Sequence, residues 1–201
     1  MSAESTVMKF RPATQRAFDD VTEMLGPKRR PDALACWCLT YRLGAEAAGL
    51  DAGERRERVF EMCAHRPAPG ILAYLDGEVV GWAGVAPRSR VAALQDTETY
   101  PLVDGVDPWS IFCLRTKGRR RRKGIGQQLL LGAIAFAREH GAEVVEGYPL
   151  DTGDKVDAVF TYPGLRSMFE KAGFVEVAPV RGTLGGAPRV VMRLATPRTR
   201  R

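Results

Sequence analysis

The sequence predicts an α/β protein of the α+β type, with a mixed, mostly antiparallel central sheet and helices on both faces. Three observations predict it. Helical periodicity fills the chain before any strong strand pair. Residues 70–87 then read as a β-hairpin about Asp76-Gly77. From Trp109 onward, strands alternate with helices and the chain closes on two more strands.

The elements follow in order. Val7 to Pro12 alternates as a short first strand, and Gln15 to Leu25 sets Phe18, Val21, Met24 and Leu25 on one helical stripe that Gly26 and Pro27 end. Asp32 to Leu43 reads as a second helix capped by Asp32, with Leu34, Cys38 and Tyr41 inward. Ala52 to His65 reads as a third, charged on its outer face. The hairpin strands are ILAYL and EVVGWAGVAP. Arg88 to Pro108 is a long connection with a short helix at Val91 to Leu94, a candidate lid over a bound substrate. Trp109 to Thr116 has the β-branched and aromatic content of a buried strand. A helix then runs from Gln127 to Gly141, a strand over 143–148, and a helix opened by Pro163 and closed by Gly173, with Met168 and Phe169 inward. Val175 to Val180 and Arg189 to Leu194 finish the sheet.

The 201 residues are 45% hydrophobic and 27% charged, which suits one core and one domain over 1–201. No apolar run approaches the ~20 residues of a membrane helix, and MSAESTVMKF is unlike a secretory leader, so a cytoplasmic location is expected. Four cysteines, at 36, 38, 63 and 113, are too sparse to staple the fold. Cys36-x-Cys38 also lacks the gap of structural zinc sites, so no metal is expected from Cys36, Cys38, Cys63 and His65.

The formal charge of +6 favours anionic partners. Arg198, Arg200 and Arg201 belong to an end, 196–201, expected to be a solvated, disordered tail. The cluster from Lys117 to Lys123 sits elsewhere, between a strand and a helix. There the first helical N–H groups lack partners, the helix dipole is positive, and glycines let a phosphate reach the backbone. Arg121, Arg122, Lys123, Gly124, Ile125, Gly126 and Gln127 therefore form a candidate site for a phosphorylated ligand. Neither the dinucleotide fingerprint nor the P-loop matches these glycines.

Arg121-Arg122-Lys123-Gly124-Ile125-Gly126 resembles the signature of the GNAT acetyltransferases: Arg or Gln, two residues, Gly, one residue, then Gly or Ala. The upstream hairpin, the strand at 143–148 and the downstream Phe169-Glu170-Lys171-Ala172-Gly173-Phe174 resemble that family too, about residues 70–180 in all. The resemblance implies a GNAT fold with a splayed strand pair, 109–116 against 143–148, and a cofactor-binding half near 109–174. It implies acetyl-CoA as co-substrate and transfer of the acetyl group to a primary amine by direct attack in a ternary complex. Leu114 and Thr116 would then offer backbone groups to the pantetheine arm, and the 121–127 loop would hold the pyrophosphate.

Transfer from a thioester needs an oriented amine, removal of its proton, support for the oxyanion and protonation of the departing thiolate. A backbone N–H near Leu114 is the candidate for the oxyanion. Many members of the family place a tyrosine four residues before the Gly of the terminal Gly-Phe as the acid, but Phe169 stands there and cannot donate a proton. Tyr162, Tyr148, Ser167 or water are the substitutes. Ser110 and Phe112 stand where some members carry histidines, leaving Glu146 as the preferred base, with Asp107 or Asp151 behind it. Cys113 reads as packing rather than an acyl carrier, and Trp82, Trp109 and Phe112 as core ahead of an acceptor pocket. The acceptor is a small-molecule or peptide amine, and a homodimer is left open. Competing readings are a CoA-binding regulator without catalysis and, less favoured, a nucleic-acid module using the 117–123 loop.

Overall fold

The computed structural model describes residues 8–28, 30, 32–117 and 124–195. Thirteen elements follow in chain order: β1 (Lys9–Pro12), α1 (Phe18–Leu25), α2 (Leu39–Leu43), α3 (Glu46–Gly49), α4 (Ala52–Met62), β2 (Gly70–Leu75), β3 (Glu78–Pro87), β4 (Trp109–Thr116), α5 (Ile125–Glu139), β5 (Val144–Gly147), α6 (Arg166–Lys171), β6 (Val175–Leu184) and β7 (Ala187–Ala195). The seven strands form one sheet in the order β1-β2-β3-β4-β5-β7-β6. Among the described strands only β4 and β5 run parallel, and the other pairs are antiparallel. Among the described residues no helix is long and apolar enough to cross a membrane.

Two apolar layers cover the two faces. One gathers Phe18, Val21, Met24 and Leu25 of α1 with Leu39, Tyr41 and Val59, against Trp82, Phe112 and Val191 of the sheet. The other packs Ile125, Leu129, Leu130 and Phe136 of α5 with Phe169 of α6 onto Ile71, Ala83, Ile111, Val145 and Met192. Alternation along β4 divides the faces: Trp109 and Ile111 look toward α5, Phe112 toward α2. Burying side chains of this size contributes about 1.5–3 kcal/mol each, which makes these layers the main source of cohesion.

The β2–β3 hairpin turns on Asp76 and Gly77, both at positive φ (52° and 82°), the geometry that a two-residue turn of the primed type requires. Gly185 and Gly186 (59° and 83°) perform the same service between β6 and β7, which extend past the expected 175–180 and 189–194. The expected helix over 32–43 is corrected to the five residues of α2: Trp37 and Cys38 take positive φ and break the helical path, and Leu34 is exposed rather than inward. α4 is the helix read over 52–65, ended at Met62 and opened by a capping box in which Asp51 and Glu54 satisfy each other's amides. α6 begins at Arg166, three residues beyond Pro163. The 88–108 connection carries two short turns of 3-10 helix, and Arg88, Leu94 and Tyr100 anchor it in the core.

Candidate active site

β4 and β5 share three residue pairs: Trp109 with Val145, Ser110 with Glu146 and Ile111 with Gly147. Past Ile111, β4 continues to Thr116 while β5 stops, and the two chains part. Residues 162–165 lie in the opening. The Leu114 amide donates to the Tyr162 carbonyl (2.6 Å), the Leu150 amide to the Gly164 carbonyl (3.0 Å), and the Arg166 amide to the Leu150 carbonyl (2.9 Å). The Leu114 amide is thus already paired within the chain.

Phe169 closes the base of this opening. Its ring is fully buried, edge-on to Phe174 at 5.0 Å, and so close to Gly147 that an added Cβ would stand 2.1 Å from Phe169 Cε1. Gly164 gives way to the same ring. A tyrosine hydroxyl at residue 169 would enter this dry packing, which is the physical sense of phenylalanine there.

At the far end of β4 the chain enters α5 through Gly124, whose φ of +71° is one that glycine adopts without strain. Gln128 N–H reaches the Gly124 carbonyl (3.1 Å), so the amides of Ile125, Gly126 and Gln127 precede the helical ladder and point out of its end. Gly126 lies against Met168, and Gln127 Nε2 donates to the Met168 carbonyl (3.1 Å), which ties α5 to α6. Arg121, Arg122 and Lys123 lie outside the described residues, as does the 196–201 end.

The face toward α2 carries the ionisable groups. Glu146 is fully buried. Its Oε2 accepts from Tyr148 Oη (2.8 Å) and Arg88 Nη1 (3.3 Å), and its Oε1 from Arg193 Nε (2.7 Å). Ser110 Oγ lies 3.0 Å from Tyr148 Oη, and Arg193 Nη1 extends the network to Asp104 (2.7 Å). A buried carboxylate is tolerable only when its lone pairs are taken up in this way. Burial, then the Glu146 charge, hold the Tyr148 phenol well above its ordinary pKa.

Tyr162 is half-buried beside the opening, edge-on to Tyr41 at 5.9 Å. Tyr41 stacks on Phe112 at 5.5 Å, and Tyr100 meets Tyr148 edge-on at 5.2 Å. Burial raises the Tyr162 phenol, which keeps it protonated at neutral pH. The other candidates lie apart or in packing. Asp107 is engaged with Ser89, Asp151 with Arg166, and Ser167 is exposed. Cys113 is buried with its sulfur 2.8 Å from that of Cys38, a contact that, with burial, pushes the Cys113 thiol far up. Trp82 is core, and Trp109 packs on Phe136 and His140 toward α5.

Reading the sequence missed Arg88, Arg189, Arg193, Tyr41 and Tyr100 as members of this site. A signal existed for two of them. Arg189 and Arg193 stand four apart in RVVMRL, on one face of an otherwise apolar strand, where inward charge demands a partner.

The fold is shared with solved acetyltransferase structures. A GNAT-family acetyltransferase from Streptococcus pneumoniae aligns at a TM-score of 0.55 and 16% identity, over 95% of this chain and 100% of that one. One from Bacillus cereus aligns at 0.54 and 11%, over 96% and 99%. PaiA N-acetyltransferase from Thermoplasma acidophilum, solved in complex with coenzyme A, aligns at 0.52 and 14%, over 94% and 99%. At these identities the likeness is one of fold. The model of the acetyltransferase (GNAT) family matches residues 37–153, more than half of the chain, and the chain belongs to that family. It is accordingly an acetyltransferase of the kind that uses acetyl-CoA. No curated protein sequence matches it.

Proposed function

We propose that the chain acetylates a primary amine, which attacks the thioester directly in a ternary complex. The observation that carries this reading is the parting of β4 from β5 beside the α5 N-terminus, whose first amides precede the helical ladder. The amides of Ile125, Gly126 and Gln127, with Arg121, Arg122 and Lys123, would hold the pyrophosphate. Leu114 and Thr116 would line the pantetheine arm, Leu114 by exchanging the Tyr162 carbonyl for the ligand.

Tyr162 is the proposed acid for the departing thiolate, since it is protonated at neutral pH and only half-buried beside the opening. Glu146 was the first candidate for the base, but its lone pairs are committed to Tyr148, Arg88 and Arg193 and no part of it is exposed. Its environment favours a positioning role, in which Glu146 and Tyr148 fix Ser110 and Tyr100 beneath the acceptor.

The test is release of free thiol from acetyl-CoA across a panel of primary amines, with calorimetry of acetyl-CoA on the same protein. Binding and amine-dependent release are expected. A specific observation favours a second reading, a CoA-binding regulator: Phe169 replaces the acid and the Leu114 amide is satisfied internally. Tight binding with no release for any amine would select it.

A further inference from the structure

Four arginines are buried among the described residues of the face toward α2 and its helices, and three are fully explained. Arg88 and Arg193 share the Glu146 carboxylate, and Arg193 adds Asp104. Arg55 donates to the carbonyls of Leu50, Ala35 and Ala47. Arg189 is different. Its side chain is 8% exposed, yet among the described residues it meets no carboxylate at all.

What Arg189 does meet is a set of rings. Nη1 donates to Tyr100 Oη (2.7 Å) and Tyr41 Oη (3.3 Å), and the guanidinium lies over the Tyr100 ring at 5.2 Å. Nε is buried with no hydrogen-bond partner. A buried guanidinium that lacks an anion and leaves one donor unsatisfied is costly, and such a group in a native protein calls for a partner from outside the chain or a functional reason. The unused edge is informative. With Nη1 committed to the tyrosines, Nε and its neighbour Nη2 remain, and that pair of parallel N–H groups matches the two oxygens of a carboxylate.

The position is also informative. Arg189 bridges to Leu150, whose amide binds the Gly164 carbonyl inside the β4–β5 opening. Tyr41, which Arg189 holds, stacks on Phe112 of β4 and meets Tyr162 edge-on. The guanidinium therefore stands one ring away from the group proposed to serve the thiolate, on the sheet face opposite α5.

We propose that Arg189, within the ring set of Tyr41, Tyr100 and Tyr162, binds a carboxylate of the acceptor, so that the substrates are zwitterions carrying both a primary amine and a carboxylate, of the size of an amino acid. The inference rests on the amine-acetylation reading and narrows its substrate class. Arg189 acts as a specificity-determining residue: pairing with it fixes the carboxylate, and the rings around it set how far away the amine stands.

The experiment compares matched substrates on the unaltered protein: a series of amino acids, their carboxamides and their decarboxylated amines, followed by thiol release from acetyl-CoA. The acids are expected to exceed both neutralised series in kcat/KM by on the order of tenfold or more, since charge-assisted, bidentate hydrogen bonds are the strong ones. Arg189→Gln, which also releases Tyr41 and Tyr100, should cost the acids on the order of tenfold more in kcat/KM than the carboxamides, with Arg189→Lys between, as a charge without the fork. Equal or better turnover of the carboxamides, or an equal loss for all three series in Arg189→Gln, overturns the substrate class and leaves amine acetylation standing. Acetylation of no amine in any series, with acetyl-CoA bound, overturns both. The matched-pair comparison needs no variant, so misfolding of Arg189→Gln would not leave the question undecided.

Discussion

The Leu114 amide and the Tyr162 carbonyl are joined by a 2.6 Å hydrogen bond just where β4 leaves β5. The chain thereby supplies to β4, for one residue, the partner that an added strand would supply. A ligand lying along β4 would trade that bond for its own, with a small net change because one amide pairing replaces another. Amide hydrogen exchange at Leu114 should therefore be slow both without and with acetyl-CoA, whereas the segment around Tyr162, released from Leu114, should exchange faster at the Gly164 amide when acetyl-CoA is added.

Tyr162→Phe separates the side chain from this backbone role. It should lower kcat on the order of 10²-fold with little change in KM for acetyl-CoA, the usual size for a lost general acid. Because burial raises the Tyr162 phenol, the wild-type rate should not fall on its account until the pH exceeds the ordinary tyrosine value of about 10. A kcat equal to that of the wild type in Tyr162→Phe would remove the phenol from the mechanism.

At Gly124, two substitutions divide strain from charge. Among the described residues nothing stands within 4 Å of an added Cβ, and asparagine tolerates the left-handed backbone, so Gly124→Asn should cost only about 1 kcal/mol of stability. Gly124→Asp places a carboxylate at the positive end of α5 and should weaken acetyl-CoA binding at least tenfold beyond Asn, measured by calorimetry. Equal affinities in the two variants would move the phosphates away from this helix end.

Glu146→Gln leaves Arg88 and Arg193 without their shared anion. Breaking a buried pair in this way costs about 3–5 kcal/mol, to be read as a lower urea midpoint with an unchanged slope. Because Tyr148 can still donate to the amide oxygen, any residual folded enzyme should keep measurable activity. Its complete loss at full folding would return Glu146 to a direct part in proton transfer.

Gly147→Ala should destabilise the sheet, since its Cβ would stand 2.1 Å from the buried Phe169 ring. Overpacking of this kind costs about 1–3 kcal/mol, seen as a lower thermal midpoint. Gly147→Ala with Phe169→Leu should recover part of it, because the double variant removes the clash.

On the acid side, Asp104 is held below its ordinary pKa first by the Val106 amide and then by Arg193. A carboxylate depressed in the folded state contributes stability that is complete above its unfolded value, about pH 4, and fades as the pH falls through the lower folded value. Asp104→Asn should lower the neutral plateau by that contribution, converge with the wild type at low pH, and so show a flatter acid limb in urea midpoints.

The sheet and the helix that follows β4 were legible in the chain because their signals are local. Asp76-Gly77 states a turn, WSIFCLRT states a strand, and Gly124-x-Gly126 states a helix end that phosphate can approach. The face toward α2 was not legible, since its order is set between distant segments: Arg88, Glu146 and Arg193 meet through a topology that no spacing encodes. The helix read over 32–43 failed for a related reason. Trp37 and Cys38 are buried by turning into the core through positive φ, a tertiary demand that overrides helical periodicity.

The Arg88–Glu146–Arg193 cluster has a mechanical meaning. Arg88 follows β3 on one side of the β4–β5 seam, Arg193 belongs to β7 on the other, and Glu146 rivets them directly beneath the fork. Whatever widens the fork therefore levers against a fixed fulcrum, so that the arms spread while the root stays shut.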